Sequence, residues 1–279
     1  MSITADQHVH SHHSGDSEAR MEDIAEQAIA RGLTELCFTE HVDLDYPDVG
    51  DPEITEETFL LDADAYHREY CEVRDRYADR IRLSFGLELG MQPHLGQENT
   101  RFVQASPYDL VIASTHVSRR RDPYYPAFYE GRSEEDAIRE VLAETLENIR
   151  VFEDFDVVGH LDYVLRYLPS RRQRVDMTPF ADVIDEILKL IIRREQGLDL
   201  NTAPLWKKGS PEMNPSRQIL SRYRELGGRI ITFGSDAHHA GDVSGAFDTA
   251  ERIALECGFT EYCVYRNRRP EMKKLISVT

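Results

Sequence analysis

Two of the eleven histidines of this 279-residue chain stand one residue apart near its start, His8 and His10. They belong to the stretch DQHVHSHHSGD, residues 6–16, which packs four histidines and two aspartates together. Further along come Glu40-His41, Glu88, His116, His160, Asn201, and Asp236 followed by His238. Imidazole nitrogens and carboxylate oxygens suit Zn2+, Mn2+ or Fe2+, and the lack of clustered thiolates disfavours a purely structural zinc. The set exceeds what one ion can hold. Two or three ions about 3.5–4 Å apart would use it, with Glu88 as a bridge. Singly, each residue has an ordinary explanation, as a hydrogen-bonded core histidine or a helix-capping acid. Function therefore depends on whether the chain brings them together.

The elements that would do so are short apolar runs alternating with helical patterns. Strands are expected over 3–10, 33–41, 81–90, 108–116, 155–160, 198–202 and 229–238. Helices are expected over 17–32, 62–80, 97–105, 133–153, 179–196, 215–226 and 245–256. Ser17 reads as the N-cap of the first helix and Gly32 as its stop. An extra strand at 261–265 and a short terminal helix complete the chain. Strict alternation implies parallel strands with right-handed crossovers, in either an open sheet or a barrel. An open sheet concentrates its site at one switch point, whereas a barrel gathers many strand ends at one mouth. The residues named above fall at the end of nearly every strand, and alternate residues share a face, so His8 and His10 point together, as do Asp236 and His238. The expectation is a single-domain, distorted, TIM-like (β/α)7 barrel spanning 1–279. His12, His13, His67, His94 and His239 break the pattern and read as surface residues.

Composition narrows the partners. A formal net charge of −18 repels phosphate polymers, so nucleic acid is a poor partner. Basic residues nevertheless cluster at Arg119–Arg121, at Arg166 with Arg171, Arg172 and Arg174, and at Lys207–Lys208. These are either loop charge or an anion site. Cys37, Cys71, Cys257 and Cys263 form no CxxC pair and read as reduced side chains. With no apolar span and no basic-then-apolar leader, the expected address is the cytoplasm.

Taken together, HVHSHHSGD, FTEH, GLELG, STH, GHLDYVLRY, NTA and GSDAH resemble the PHP (polymerase and histidinol phosphatase) superfamily, in that order and over nearly the whole chain. The resemblance implies a distorted seven-stranded barrel with a trinuclear metal centre. It assigns His8, His10, Glu88 and Asp236 to one ion. Glu88 would bridge to a second ion held by His116 and His160, and Asp16, His41 and His238 would hold a third. The HVDLDYPD loop, the chain size and Arg166, six residues past His160, look like the stand-alone histidinol-phosphatases. In NTAPLWKKG, Pro204 departs from the family's usual glycine.

That resemblance implies hydrolysis of L-histidinol phosphate to L-histidinol and phosphate. Arg166, Glu88 and Asp236 would carry catalysis, and Arg166, Arg119, Lys207 and Asn201 would contact phosphate. Tyr124, Tyr125 and Trp206 could flank an imidazole. Three other readings stay open at this level. One is a phosphodiesterase or exonuclease acting on nucleotides or short oligonucleotides, and another is a non-catalytic metal-binding module. An amide hydrolase would commonly need a strand lysine, whereas Lys189, Lys207, Lys208, Lys273 and Lys274 lie in a helix, a loop and the C-terminal segment.

Overall fold

The computed structural model describes residues 2–275. Seven parallel strands follow one another around the sheet in chain order. They are β1 (Ala5–Val9), β2 (Glu35–Val42), β3 (Arg82–Gly90), β4 (Leu110–Ser114), β5 (Val157–Val158), β6 (Gly197–Asn201) and β7 (Ile231–Gly234). The intervening helices are α1 (Met21–Ala30), α2 (Ala63–Tyr77), α3 (Gly96–Gln104), α4 (Glu134–Val151), α5 (Ala181–Arg193), α6 (Ala203–Lys207) and α7 (Arg217–Glu225). Helix α8 (Phe247–Glu256) then leads to an antiparallel hairpin, β8 (Glu261–Arg266) and β9 (Arg269–Lys274).

The sheet curls until its first and last strands meet at one end. Asp236 N donates to His8 O and His10 N donates to Ala237 O, each at 2.9 Å. The barrel is thus nearly closed, and closure occurs at the C-terminal ends of β1 and β7, where the histidines lie. Helices pack outside through apolar faces one turn apart, as in α5, which buries Val183, Ile184, Ile187, Leu188 and Ile191. Buried tyrosines fasten helix to sheet as well as filling space: Tyr66 of α2 donates its hydroxyl to Phe38 O at 3.0 Å and Gly86 O at 2.9 Å. Ser133 caps α4 by accepting from Asp136 N, ahead of Glu134, Glu135 and Asp136 in the first turn.

The hairpin plugs the opposite end. Cys263 and Tyr265 of β8 join Cys37, Leu110, Ile112 and Val157 in a small apolar cluster apart from the main core. Tyr265 N donates to Gln7 Oε1, and Arg268 pairs with Asp156 just before β5. The histidines lie at the other end, the mouth of the barrel.

Several expectations are corrected. The terminal helix is replaced, as far as Leu275, by strand β9. Asn267 and Arg268 both take positive φ, 46° and 64°, which makes the tight turn of a hairpin and turns the chain back onto β8. Ser17 does not cap α1, which starts at Met21 after Arg20. Its hydroxyl donates to His238 O at 2.9 Å, tying the β1 and β7 ends together. Only Val157–Val158 of the expected fifth strand pair in the sheet. The unexpected α6 places Pro204 in its first turn, where the missing N–H leaves no bond unmade.

Close packing at the β1–β7 seam depends on an absent side chain. A Cβ at Gly234 would lie 2.2 Å from His8 Cβ. Gly234→Ala is expected to destabilise the fold by about 1–3 kcal/mol through overpacking, measured by denaturant unfolding, and to displace His8.

Candidate metal centre

Strand pairing puts His41 directly opposite Glu88 in the β2–β3 register, and the remaining side chains arrive from the other strand ends. Glu88, fully buried, stands in the middle. Its Oε2 lies 3.0 Å from His8 Nε2, 3.4 Å from His10 Nε2 and 3.2 Å from His41 Nδ1. Its Oε1 lies 2.8 Å from His160 Nε2 and 3.3 Å from His116 Nε2, and accepts from Ser114 Oγ at 2.7 Å. One carboxylate therefore faces two separate groups of imidazoles. Asp236 Oδ1 is 3.5 Å from His10 Nε2 and 3.9 Å from His8 Nε2. Asp16 Oδ2 is 3.1 Å from His238 Nε2 and 3.7 Å from His41 Nε2, at the more open rim. All nine sequence-expected ligands meet in one continuous cage.

The donor set fits divalent cations. Glu88 Oε2, His41 Nδ1 and His160 Nδ1 are buried with no hydrogen-bond partner among the described residues. For Glu88 Oε2 and its histidine neighbours the spacing is close but the angles are wrong for hydrogen bonds. In a tetrahedral shell with bonds of about 2.0–2.2 Å, neighbouring donor atoms stand about 3.3–3.5 Å apart. The cage spacings lie near that range.

A second layer fixes the outer ring nitrogens. His8 Nδ1 donates to Asp199 Oδ2 at 2.9 Å, and His116 Nδ1 to Asp43 Oδ1 at 3.0 Å. His10 Nδ1 donates to Ser14 Oγ at 3.1 Å, while the Ser14 hydroxyl donates to Glu40 Oε2 at 2.6 Å. His238 Nδ1 donates to Asp236 O at 3.0 Å. In each case Nδ1 is engaged outside and Nε2 is the nitrogen turned to the cage, the arrangement that orients metal-binding histidines. Sequence reasoning missed Asp43, Asp199 and Ser14. The two aspartates were findable, because each sits two residues from a named strand-end residue, His41 and Asn201 respectively.

Electrostatics point the same way. Burial drives His41 down to about 3 and also lowers His160, leaving neutral imidazoles with free lone pairs. Burial opposes the charge on Glu88, but His8 and His116 outweigh it and hold the carboxyl well below its usual range. Asp236 is likewise held low against burial, with His10 the largest opposing influence. Burial also disfavours charge on His8, His10 and His116, yet neighbouring carboxylates win. His10 rises to about 9, and His8 and His116 lie well above the usual value. The carboxylates demand positive charge, which protons or cations can satisfy.

The expected phosphate contacts separate. Arg166 gives Nε to Asn214 Oδ1 at 2.7 Å and Nη1 to Asp236 Oδ2 at 3.1 Å. Its Nη2 is buried without a hydrogen-bond partner among the described residues. Beside it opens a cavity of about 1130 Å3, bordered by Tyr124, Tyr167, Arg171, Lys208 and Asn214. Lys207 stays nearby, its Nζ 3.4 Å from Asp236 O. Asn201 donates its amide to Asp236 Oδ2 at 3.0 Å and its Oδ1 accepts from Ala203 N, so it positions Asp236. The Arg119 guanidinium pairs with Glu147 at 2.7 Å and Glu144 at 3.5 Å on α4. Arg120 and Arg121 are similarly taken up by Asp45 and Glu140. Of the three aromatics, Tyr124 borders the cavity, Tyr125 stacks edge-on against it, and Trp206 donates to Ser235 O.

A parallel barrel with a histidine–carboxylate cage at its mouth defines a class, and comparison with known proteins agrees: the chain belongs to the PHP domain family, which matches residues 6–203. It is 32% identical over 270 residues to a histidinol-phosphatase of Lactococcus lactis, covering 96% of this chain and 97% of that one. A probable histidinol-phosphatase of Clostridium acetobutylicum is 30% identical over 253 residues, 90% of this chain and 93% of that one. The crystal structure of the Lactococcus lactis histidinol phosphate phosphatase, complexed with zinc, L-histidinol and phosphate, superposes with a TM-score of 0.86 over 96% of this chain and 98% of that one.

Two outcomes follow from the cage. Asp199→Asn is expected to weaken divalent-metal affinity about 10–100-fold, measured by competition with a chelator, while the far-UV circular dichroism is unchanged. Because neighbouring carboxylates raise His8, His10 and His116 in the metal-free protein, His10 to about 9, Zn2+ binding is expected to release protons. Apparent affinity should therefore climb with pH from 7 towards about 9, and titration calorimetry in buffers of differing ionisation enthalpy reads the released protons directly.

Proposed function

We propose that this chain is a metal-dependent phosphomonoesterase that hydrolyses L-histidinol phosphate to L-histidinol and phosphate. The observation that carries the reading is full-length similarity, 32% identity with a TM-score of 0.86, to an enzyme solved with zinc, L-histidinol and phosphate, joined to the cage around Glu88. In this reading His8, His10, Glu88 and Asp236 hold one divalent ion, Glu88, His116 and His160 a second, and Asp16, His41 and His238 a third. Zn2+, Mn2+ and Fe2+ all suit these donors. Such ions would supply Lewis acidity and a water whose pKa falls from about 15.7 towards about 7.

The protein's own residues supply position and charge. Arg166 is anchored through two of its nitrogens by Asn214 and Asp236, which leaves Nη2 to meet a phosphate oxygen. Its charge persists at any working pH. Asn201 and Arg166 together hold Asp236 from the side away from His10. Lys207 adds positive charge close to the same carboxylate. The cavity beside Arg166 offers room for the alcohol portion of the ester. We place the protein in the cytoplasm as one domain. No described helix is long and apolar enough to cross a membrane, and all four cysteines are free thiols.

Phosphate release from a panel of phosphomonoesters, alongside a phosphodiester reporter, tests the assignment. Histidinol phosphate is expected to be the best substrate, and faster turnover of the diester would replace the monoesterase reading with a diesterase one. Arg166→Ala should cost about 100-fold or more in kcat/KM. Arg166→Lys should recover little of this, since an ammonium cannot hold Asn214, Asp236 and phosphate in one planar fork.

A further inference from the structure

His12 and His13 were set aside as surface residues, but they are not scattered. Adjacent residues in an extended chain point apart. Here a turn closed by Ser14 N donating to Ser11 O brings both rings to one side, with centroids 4.5 Å apart. Both Nε2 atoms then address the same oxygen of Glu69 on α2, from 3.3 Å for His12 and 3.0 Å for His13. One donor atom from each of the three residues lies within 4.8 Å of the others. None of the three belongs to the Glu88 cage.

We propose that His12, His13 and Glu69 form a separate, exchangeable site for one divalent transition metal. Two imidazoles and a carboxylate suit Zn2+, Co2+ or Ni2+, and disfavour Mg2+ or Ca2+, which prefer all-oxygen shells. The N···O separations are close to the edge of a tetrahedral zinc shell, about 3.3 Å. Side-chain exposures of 39% for His12 and 32% for Glu69 leave the remaining positions open to water, so the ion would exchange faster than ions in the buried cage. Glu69 stands on a rigid base, since α2 is anchored by the buried Tyr66 and Tyr70, and the His13 ring lies 5.5 Å from that of Tyr66. The two histidines ride on the loop that also carries His10, Ser14 and Asp16. An ion here would staple that loop to α2 without touching the reacting atoms.

The test is a Zn2+ titration of the metal-loaded holoenzyme followed by calorimetry, which needs no turnover and so stands apart from the phosphatase assignment. Wild type is expected to take up one further equivalent. Glu69→Gln and His12→Gln should each bind that equivalent at least tenfold more weakly, while phosphate release without excess Zn2+ stays at the wild-type rate. The extra Zn2+ should raise the melting temperature of wild type and not that of either variant. If wild type binds no further ion, or both folded variants bind it as wild type does, the three residues form an ordinary ion pair and the site is overturned.

Discussion

A carboxylate buried among imidazoles governs this molecule. Glu88 has no access to water, and an isolated charge in such a place is costly enough that it must be paired or neutralised. Five histidines from four other strand ends approach its two oxygens. The charge problem is solved collectively: the anions need cations, and either protons on the imidazoles or divalent metal can supply them. Deleting one participant would leave the others buried with uncompensated charge. The cage is therefore stable only with positive charge, from protons or from metal, set among its carboxylates.

The fold is shaped around that demand. A nearly closed parallel barrel has one end where every strand terminates, and side chains placed there converge without further instruction. Closure between β1 and β7 runs through backbone bonds of the same residues that carry donors, His8, His10 and Asp236. Structure and site thus share atoms at the seam. The hairpin of β8 and β9 packs the far end with Cys263 and Tyr265, opposite the polar mouth. Behind the cage, Asp43, Asp199 and Ser14 fix how the rings are turned. The acidity of the whole chain is offset locally on one side of the mouth by Arg166, Arg171, Lys207 and Lys208, a suitable flank for a phosphate dianion.

Most of the fold and the cage were legible from the chain because their signals are local. Period-two alternation marks His8 with His10, and a helical stripe such as Val183, Ile184, Ile187 and Leu188 marks an outer helix. Errors arose where partners are distant. Nothing near Arg119 in sequence announces that Glu144 and Glu147 will claim it. The segment after Tyr265 has the composition of a helix, and only pairing with β8 makes it a strand. Ser17 looks like a cap until the chain after β7 offers the His238 carbonyl.

Residue order alone carries the alternation of strands and helices, the placing of donors at strand ends, and the kind of cation they suit. These depend on residue type and on spacings of two or about four residues, which the backbone imposes on any chain. Tertiary structure alone decided which oxygen of Glu88 faces which imidazoles and which carboxylates stand behind the rings. It also set Asn201 beside Asp236 as its support, and brought His12 and His13 onto Glu69. Those outcomes depend on separations of a few ångströms between residues far apart in the chain, which only the closed barrel and its packed helices define.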